Sequence, residues 1–188
     1  LTKSVLIVTA VFPLLTSVVV RSFAFMVLLG RNGVVNDLLM RAGLTGEPLP
    51  LLYSQAAVII GLVYLFTPLM ILSLVGVLES IETDLLQASA SLGATPFATF
   101  QQVVLPLATP GLIVGGVLVF TGSFTAFATP QLLGGDQQMV LATLLYQKAM
   151  VNFDWIGAST IAVIMTVITV CVVLAMSAFA RRFNAMAV

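Results

Sequence analysis

Charged positions divide the chain into long apolar runs separated by short polar connections. Ser4 to Val20 carries no charge between Lys3 and Arg21, and Pro48 to Leu78 carries none between Glu47 and Glu79. Leu85 to Gly135 and Trp155 to Ala180 are also uncharged, the last closed by Arg181 and Arg182. A bilayer core about 30 Å thick is crossed by about 20 helical residues, so each run is long enough to span. In the third run Gly93, Pro96, Pro106 and Pro110 interrupt the first half and leave Gly111 to Thr129 as the expected helix. The expected spans are therefore 1–20, 53–78, 111–129 and 155–180, with 79–109 as a connecting loop. The pattern predicts an all-α fold, a polytopic transmembrane helical bundle forming a single domain over 1–188.

The connections carry the turn chemistry. Gly30, Gly33, Gly43, Gly46, Pro48 and Pro50 surround a short helix expected from Val34 to Ala42, started at Asn32 and stopped by Gly43. Between the last two spans, Gly134-Gly135-Asp136 predicts a turn and Met139 to Met150 a short helix, with Asn152, Asp154 and Trp155 at an interfacial boundary. Four spans put these two loops on one side and Ser80 to Thr109, with both chain ends, on the other. Lys3, Arg181 and Arg182 on one side face Arg21, Arg31, Arg41 and Lys148 on the other, and this balance gives no orientation.

Composition sharpens the class. With 60% hydrophobic and 7% charged residues, against about 25% charged in ordinary soluble domains, the chain cannot build a water-soluble surface and requires membrane lipid around it. Seven basic residues balance seven acidic ones, so no field favours nucleic acid. There is no His, and the lone Cys171 lies in an apolar run as a small filler. Glu79, Glu82 and Asp84 form the one acidic cluster, so neither a metal site nor a set of catalytic residues is expected. The chain opens at Leu1 inside an apolar segment without an initiator Met, which leads us to expect a fragment preceded by further spans.

The informative segment is Leu78 to Gly111, LESIETDLLQASASLGATPFATFQQVVLPLATPG. Leu78, Ile81, Leu85, Ala88 and Leu92 recur at steps of three and four and predict one face of an amphipathic helix, with Glu79, Glu82, Asp84 and Gln87 largely off it. Gly93 ends that helix, and Thr95 caps a second one with Pro96 at its first position and Phe97, Phe100 and Val104 on its apolar face. Leu105-Pro106 is expected to break the chain again before Pro110-Gly111 re-enters the membrane. Two amphipathic helices between spans suit docking to a soluble partner. The same periodicity also suits an interfacial hairpin that only seats the spans.

These residues resemble a known family. Permease subunits of ATP-binding-cassette (ABC) importers carry Glu-Ala-Ala, three residues, Gly, nine residues, Ile, one residue, Leu-Pro. This chain has Gln87-Ala88-Ser89, three residues, Gly93, nine residues, Val103, Val104 and Leu105-Pro106. It departs at Gln87, at Ser89 and in lacking the basic residues relatives carry there. The stretches Ser17 to Leu39, Pro50 to Ser54 and Phe127 to Trp155 most resemble permeases of spermidine/putrescine-type importers. Similar stretches recur in relatives carrying ferric iron, thiamine, phosphonates or opines.

The resemblance implies a multi-pass protein of the bacterial cytoplasmic (inner) membrane, with 79–109 as a cytoplasmic coupling-helix loop. The implied coupling residues are Gln87, Ala88, Ser89, Gly93, Ala94, Pro96, Leu105 and Pro106. The implied partners are a cytoplasmic ABC ATPase dimer that binds ATP and Mg, a second permease subunit, and a periplasmic or lipid-anchored solute-binding protein. This chain itself would need no cofactor, and it contains no GxxxxGK[ST] phosphate loop. Arg31, Asn32, Asp37, Lys148 and Asn152 then face the binding protein. Phe25, Tyr64, Phe120 and Phe124 are candidates for the solute pathway, where aromatic faces replace part of a polyamine's hydration, with helix packing as their other reading. An ion-coupled secondary carrier, which calls for an ionisable residue in the membrane, and a non-transporting scaffold remain as other classes.

Overall fold

The structure, a computed structural model, describes residues 11–184, with side-chain surroundings through residue 179. Among the described residues every regular element is helical: α1 Val18–Leu29, α2 Val34–Arg41, α3 Gln55–Glu79, α4 Thr83–Ser91, α5 Pro96–Thr99, α6 Leu105–Thr125, α7 Ala128–Gly134, α8 Leu141–Tyr146 and α9 Trp155–Asn184. Phe12–Leu15 and Gly135–Gln137 are 3-10 turns, and Phe100–Val104 and Gln147–Val151 are π-helical. Three continuous helical stretches are long and apolar enough to cross a membrane: Gln55–Glu79, Pro96–Thr125 and Trp155–Phe179. A fourth apolar stretch, Val18–Arg41, is interrupted between Leu29 and Val34, and α1 alone, with 12 residues, falls short of a bilayer. The outward faces of the long helices are apolar: Val63 is 60% exposed, Val114 57% and Leu174 63%. Surfaces of that kind are stable in lipid and costly in water.

The described residues form two compact units, 11–68 with 122–167 and 69–121 with 168–184. In the first, Leu29, Ala57, Val58 and Leu133 form a buried core, with Phe25, Met26, Val35 and Leu62 packed on it. Glycines permit this approach: a Cβ on Gly61 would lie 2.5 Å from Leu133 Cδ1 and 2.8 Å from Thr129 Cγ2. Ser22 and Thr129 share a buried hydroxyl–hydroxyl hydrogen bond of 3.2 Å. Asn36, fully buried, donates from Nδ2 to Gly30 O (3.1 Å) and Leu49 O (3.0 Å), and its Oδ1 accepts from Leu49 N (2.9 Å). One amide thereby ties α2 to the turns on either side of it.

In the second unit, Gly111 and Gly115, four apart on α6, face α3. Ser73 Oγ donates to Gly111 O at 2.5 Å. A Cβ on Gly115 would stand 2.5 Å from Met70 Sδ and 2.7 Å from Ser73 Oγ. Small residues at this spacing let helix backbones approach where lipid supplies no hydrophobic drive.

Several expected boundaries are corrected. Most of the expected first span, including Lys3 and Ser4, lies outside the described residues. Within them α1 begins at Val18 and runs past Arg21 to Leu29. Arg21 therefore does not close a span: no helix breaker lies between Val18 and Gly30, and a long aliphatic stem lets arginine remain in an apolar helix. The amphipathic helix does not begin at Leu78. α3 continues to Glu79, Ser80 and Ile81 turn, and α4 starts after Glu82.

Nor does Leu105-Pro106 break the chain, and the helix expected from Gly111 to Thr129 runs from Leu105 to Thr125. The preceding π turn, closed by Leu105 N–H on Phe100 O, accommodates the ring and missing N–H of Pro106. The helix expected over Met139–Met150 is α8 followed by a π turn. α9 continues through Arg181 and Arg182 to Asn184, and the side chains of both arginines lie outside the described surroundings. Cys171 is exposed on α9 rather than packed as a filler.

Candidate functional site

The connection between α3 and α6 is built to hold a fixed shape. Asp84 in the first turn of α4 complements the helix dipole. At the other end Gly93 adopts φ +81°, Gly93 N–H donates to Ala90 O (3.0 Å), and Ala94 N–H to Ser89 O (3.2 Å). This paired closure is a Schellman motif, and the left-handed residue at its centre favours glycine. Thr95 Oγ1 accepts from Ala98 N (3.3 Å) to cap α5, with Pro96 in its first turn. Ser89 Oγ and Thr99 Oγ1 lie 2.7 Å apart and tie α4 to α5 and its π-helical extension.

The structure therefore gives the departure at Ser89 a physical role, because an alanine there would remove the tie. Gln87 and Ala88 are exposed. Leu92 is 88% exposed and Phe97 69%, with Leu85 and Phe100 also exposed. A rigid pair of short helices thus presents apolar side chains that the second unit does not cover.

A second set of polar residues lies in the first unit. Asp37 is paired with Arg41, Arg41 Nη2 to Asp37 Oδ2 at 3.0 Å. Lys148 Nζ donates to Asp154 Oδ2 at 3.1 Å, while Asp154 Oδ1 accepts from Gly157 N at 2.9 Å and so caps α9. The Gly157 N–H and then the Lys148 ammonium hold the Asp154 carboxyl below the usual carboxylate range. Arg31, Asn32 and Asn152 are exposed. Two of the five candidate contact residues, Asp37 and Lys148, are thus engaged in ion pairs within the chain.

Two open recesses share Gln131 and Asp136. One continues to Met26, Tyr53 and Gln137, the other to Thr143, Tyr146 and Gln147. Sequence reasoning placed Asp136 only in a turn and passed over Gln131. The dense turn signal Gly134-Gly135 beside two glutamines was the clue available. Of the four aromatic candidates, Phe25 and Tyr64 meet edge to face, ring centroids 5.1 Å apart at 69°. Phe120 and Phe124 are half-buried on α6. Another aromatic pair, Phe127 and Tyr146, has centroids 4.6 Å apart.

Comparison with known proteins places this geometry. The family model described as binding-protein-dependent transport system inner membrane component matches residues 2–185. The chain is 34% identical over 166 residues to the spermidine/putrescine transport system permease protein PotB of Haemophilus influenzae, covering 88% of this chain and 58% of that protein. It is 30% identical over 159 residues to PotB of Escherichia coli, covering 84% and 58%. The chain thus spans about three-fifths of the length of these curated relatives. Among solved structures, a bacterial ABC transporter involved in the import of the acidic polysaccharide alginate superposes with TM-score 0.75 at 18% identity, covering 96% of this chain and 66% of that one. That likeness is one of fold.

Proposed function

The chain belongs to the family of binding-protein-dependent transport system inner membrane components, and from that premise we propose that it lines part of the solute pathway of an ABC importer and couples it to a separate cytoplasmic ATPase. The observation that carries the reading is the rigid α4–α5 pair, whose Leu85, Leu92, Phe97 and Phe100 are exposed without a covering element in their unit. In this reading the pair, with Gln87, Ala88, Ser89, Gly93, Ala94 and Pro96, enters a cleft on the ATPase. Leu105 and Pro106 set the start of the helix that transmits the movement. ATP and Mg are bound and ATP is hydrolysed by that partner. A second permease subunit completes the pathway, a solute-binding protein delivers solute at the face bearing Arg31, Asn32 and Asn152, and the assembly lies in a bacterial inner membrane.

For the solute we propose a polyamine of the spermidine or putrescine kind. The relatives' names support this, and so do the recesses about Asp136, which offer a carboxylate, amides from Gln131, Gln137 and Gln147, and the phenols Tyr53 and Tyr146. A carboxylate with aromatic faces is the chemistry that replaces an ammonium group's hydration. Phe25, Tyr64, Phe120 and Phe124 would then offer only shallow contacts deeper in the path.

The test is uptake into proteoliposomes carrying the full transporter and its binding protein, with labelled spermidine, putrescine and 2-aminoethylphosphonate in parallel. Uptake should require ATP and favour the polyamines. Uptake driven by an ion gradient without ATP, or no uptake of any solute, overturns the importer reading. ATP-driven uptake that prefers the phosphonate overturns the polyamine reading alone.

A further inference from the structure

Arg21 is the one charged residue within α1, and it is half-buried there. Its Nε and Nη1 are buried and have no hydrogen-bond partner. Around it lie Ser22 and Thr129, whose hydroxyls bond each other, together with Phe25, Gly61 and Tyr64. Gly61 and Tyr64 stand about 9–14 Å along α3 from its start at Gln55, at the 1.5 Å rise of a helix, so the guanidinium is too deep to count as a loop charge. The cavity beside it, about 10 Å³, holds at most one water molecule.

A cation partly withdrawn from water in an apolar helix is costly unless a carboxylate, a backbone carbonyl or water meets it, and a carboxylate meets it best. Among the described residues no carboxylate meets it. Of its seven acidic residues, Asp37 is bonded to Arg41 and Asp154 to Lys148. Glu47 and Asp136 lie in exposed turns, and Glu79, Glu82 and Asp84 lie at the α3–α4 connection. Residues 1–10 and 185–188 contain no Asp or Glu.

We infer that Arg21 is one half of an intramembrane ion pair whose carboxylate is carried by a transmembrane segment outside this sequence, either on the same polypeptide or on a second membrane subunit. A guanidinium suits the role because it stays charged and spreads its donors over three nitrogens, so a carboxylate can be met at the end this chain does not enclose, whereas an ammonium is a single point charge. The bonded Ser22–Thr129 hydroxyls and Tyr64 line the same recess. The ion pair fixes α1 by a contact beyond its own unit. The inference rests on the importer reading only for the source on a second subunit.

The experiment uses the complete transporter, with assembly measured by co-purification of its subunits and uptake measured with and without ATP. Arg21→Gln strands the partner carboxylate and should lower the yield of assembled complex by about tenfold or more, and Arg21→Lys should lower it less. Restoring substitutions are then selected in the Arg21→Gln background. The inference requires that some of them replace a membrane-embedded Asp or Glu by a neutral residue, and the polypeptide on which they fall identifies the source. Arg21→Gln that assembles and transports like the parent overturns it. So does restoration that never touches a carboxylate, and so does a changed solute preference in a normally assembled complex, which would make the solute the anion. Loss of ATP dependence in the parent transporter defeats the importer reading and leaves the ion pair standing for the same-chain source.

Discussion

Replacement of Gly93 separates two reasons for a glycine in the α4–α5 connection. Its φ of +81° belongs to the left-handed region, while a Cβ built there meets nothing within 4 Å in this chain. In the isolated chain the cost of a side chain is therefore conformational rather than steric. For Ala, holding that conformation costs about 1–2 kcal/mol, a factor of about 5–30 in population. Asn tolerates the region and should cost a few-fold at most, and Val, branched at Cβ, should abandon it.

When Gly93 leaves this conformation, the bonds to Ala90 O and Ser89 O are lost and the angle between α4 and α5 is released. Leu92 and Phe97 then no longer present one surface. Titrating the ATPase subunit against nanodisc-held transmembrane complex should rank affinity as Gly93, Asn, Ala, Val, with Ala weaker by about 5–30-fold and the thermal midpoint of the transmembrane complex nearly unchanged. If Asn weakens binding as much as Val, the glycine is needed for space inside the partner's cleft and the backbone reasoning is wrong. If none of the variants weakens it, the helix pair is not the docking element.

Other predictions concern packing and bonding within each unit. Gly115→Val drives a side chain into Met70 and Ser73 and should cost about 1–3 kcal/mol of thermal stability in detergent, whereas Gly76→Ala, with open space around its Cβ position, should be nearly silent. Asn36→Ala removes the bonds to Gly30 O, Leu49 O and Leu49 N–H, so it should cost about 1–3 kcal/mol and expose the α2 connections to protease. Asp154 has a carboxyl pKa lowered in the folded chain, so its contribution is fully present above the ordinary carboxylate value and is lost as pH falls through the lowered one. Unfolding followed from pH 7 down to pH 3 should show a destabilisation at the acid end that Asp154→Asn removes, and an unchanged acid limb in the variant would refute the assignment.

Much of the fold was legible because the lipid-facing and core positions are apolar and the connections are rich in Gly, Pro and Asn. The charge-free runs from Pro48 to Leu78 and from Trp155 to Ala180 correspond to α3 and α9. The α4 stop at Gly93 and the Thr95 cap were readable because both depend on neighbouring residues alone. What could not be read depends on partners distant in sequence or on cooperative backbone geometry. Pro106 reads as a breaker until the π turn before it is seen. Arg21 reads as the edge of a span until α1 continues past it. Asn36 reads as one more polar position of the short helix expected from Val34 to Ala42, although its amide holds Gly30 and Leu49 together, and the Ser22–Thr129 bond joins residues no periodicity connects.

The most direct test places a single cysteine at Leu92, the most exposed apolar residue of the helix pair, in a transporter whose other cysteines, including Cys171, are replaced. Short-span crosslinking in inverted membrane vesicles should join Leu92→Cys to the ATPase, with a yield that changes when ATP is added, while a cysteine at Arg31 should crosslink only to the solute-binding protein. Crosslinking of the ATPase from Arg31→Cys with none from Leu92→Cys would contradict both the docking role of α4–α5 and the orientation of the chain.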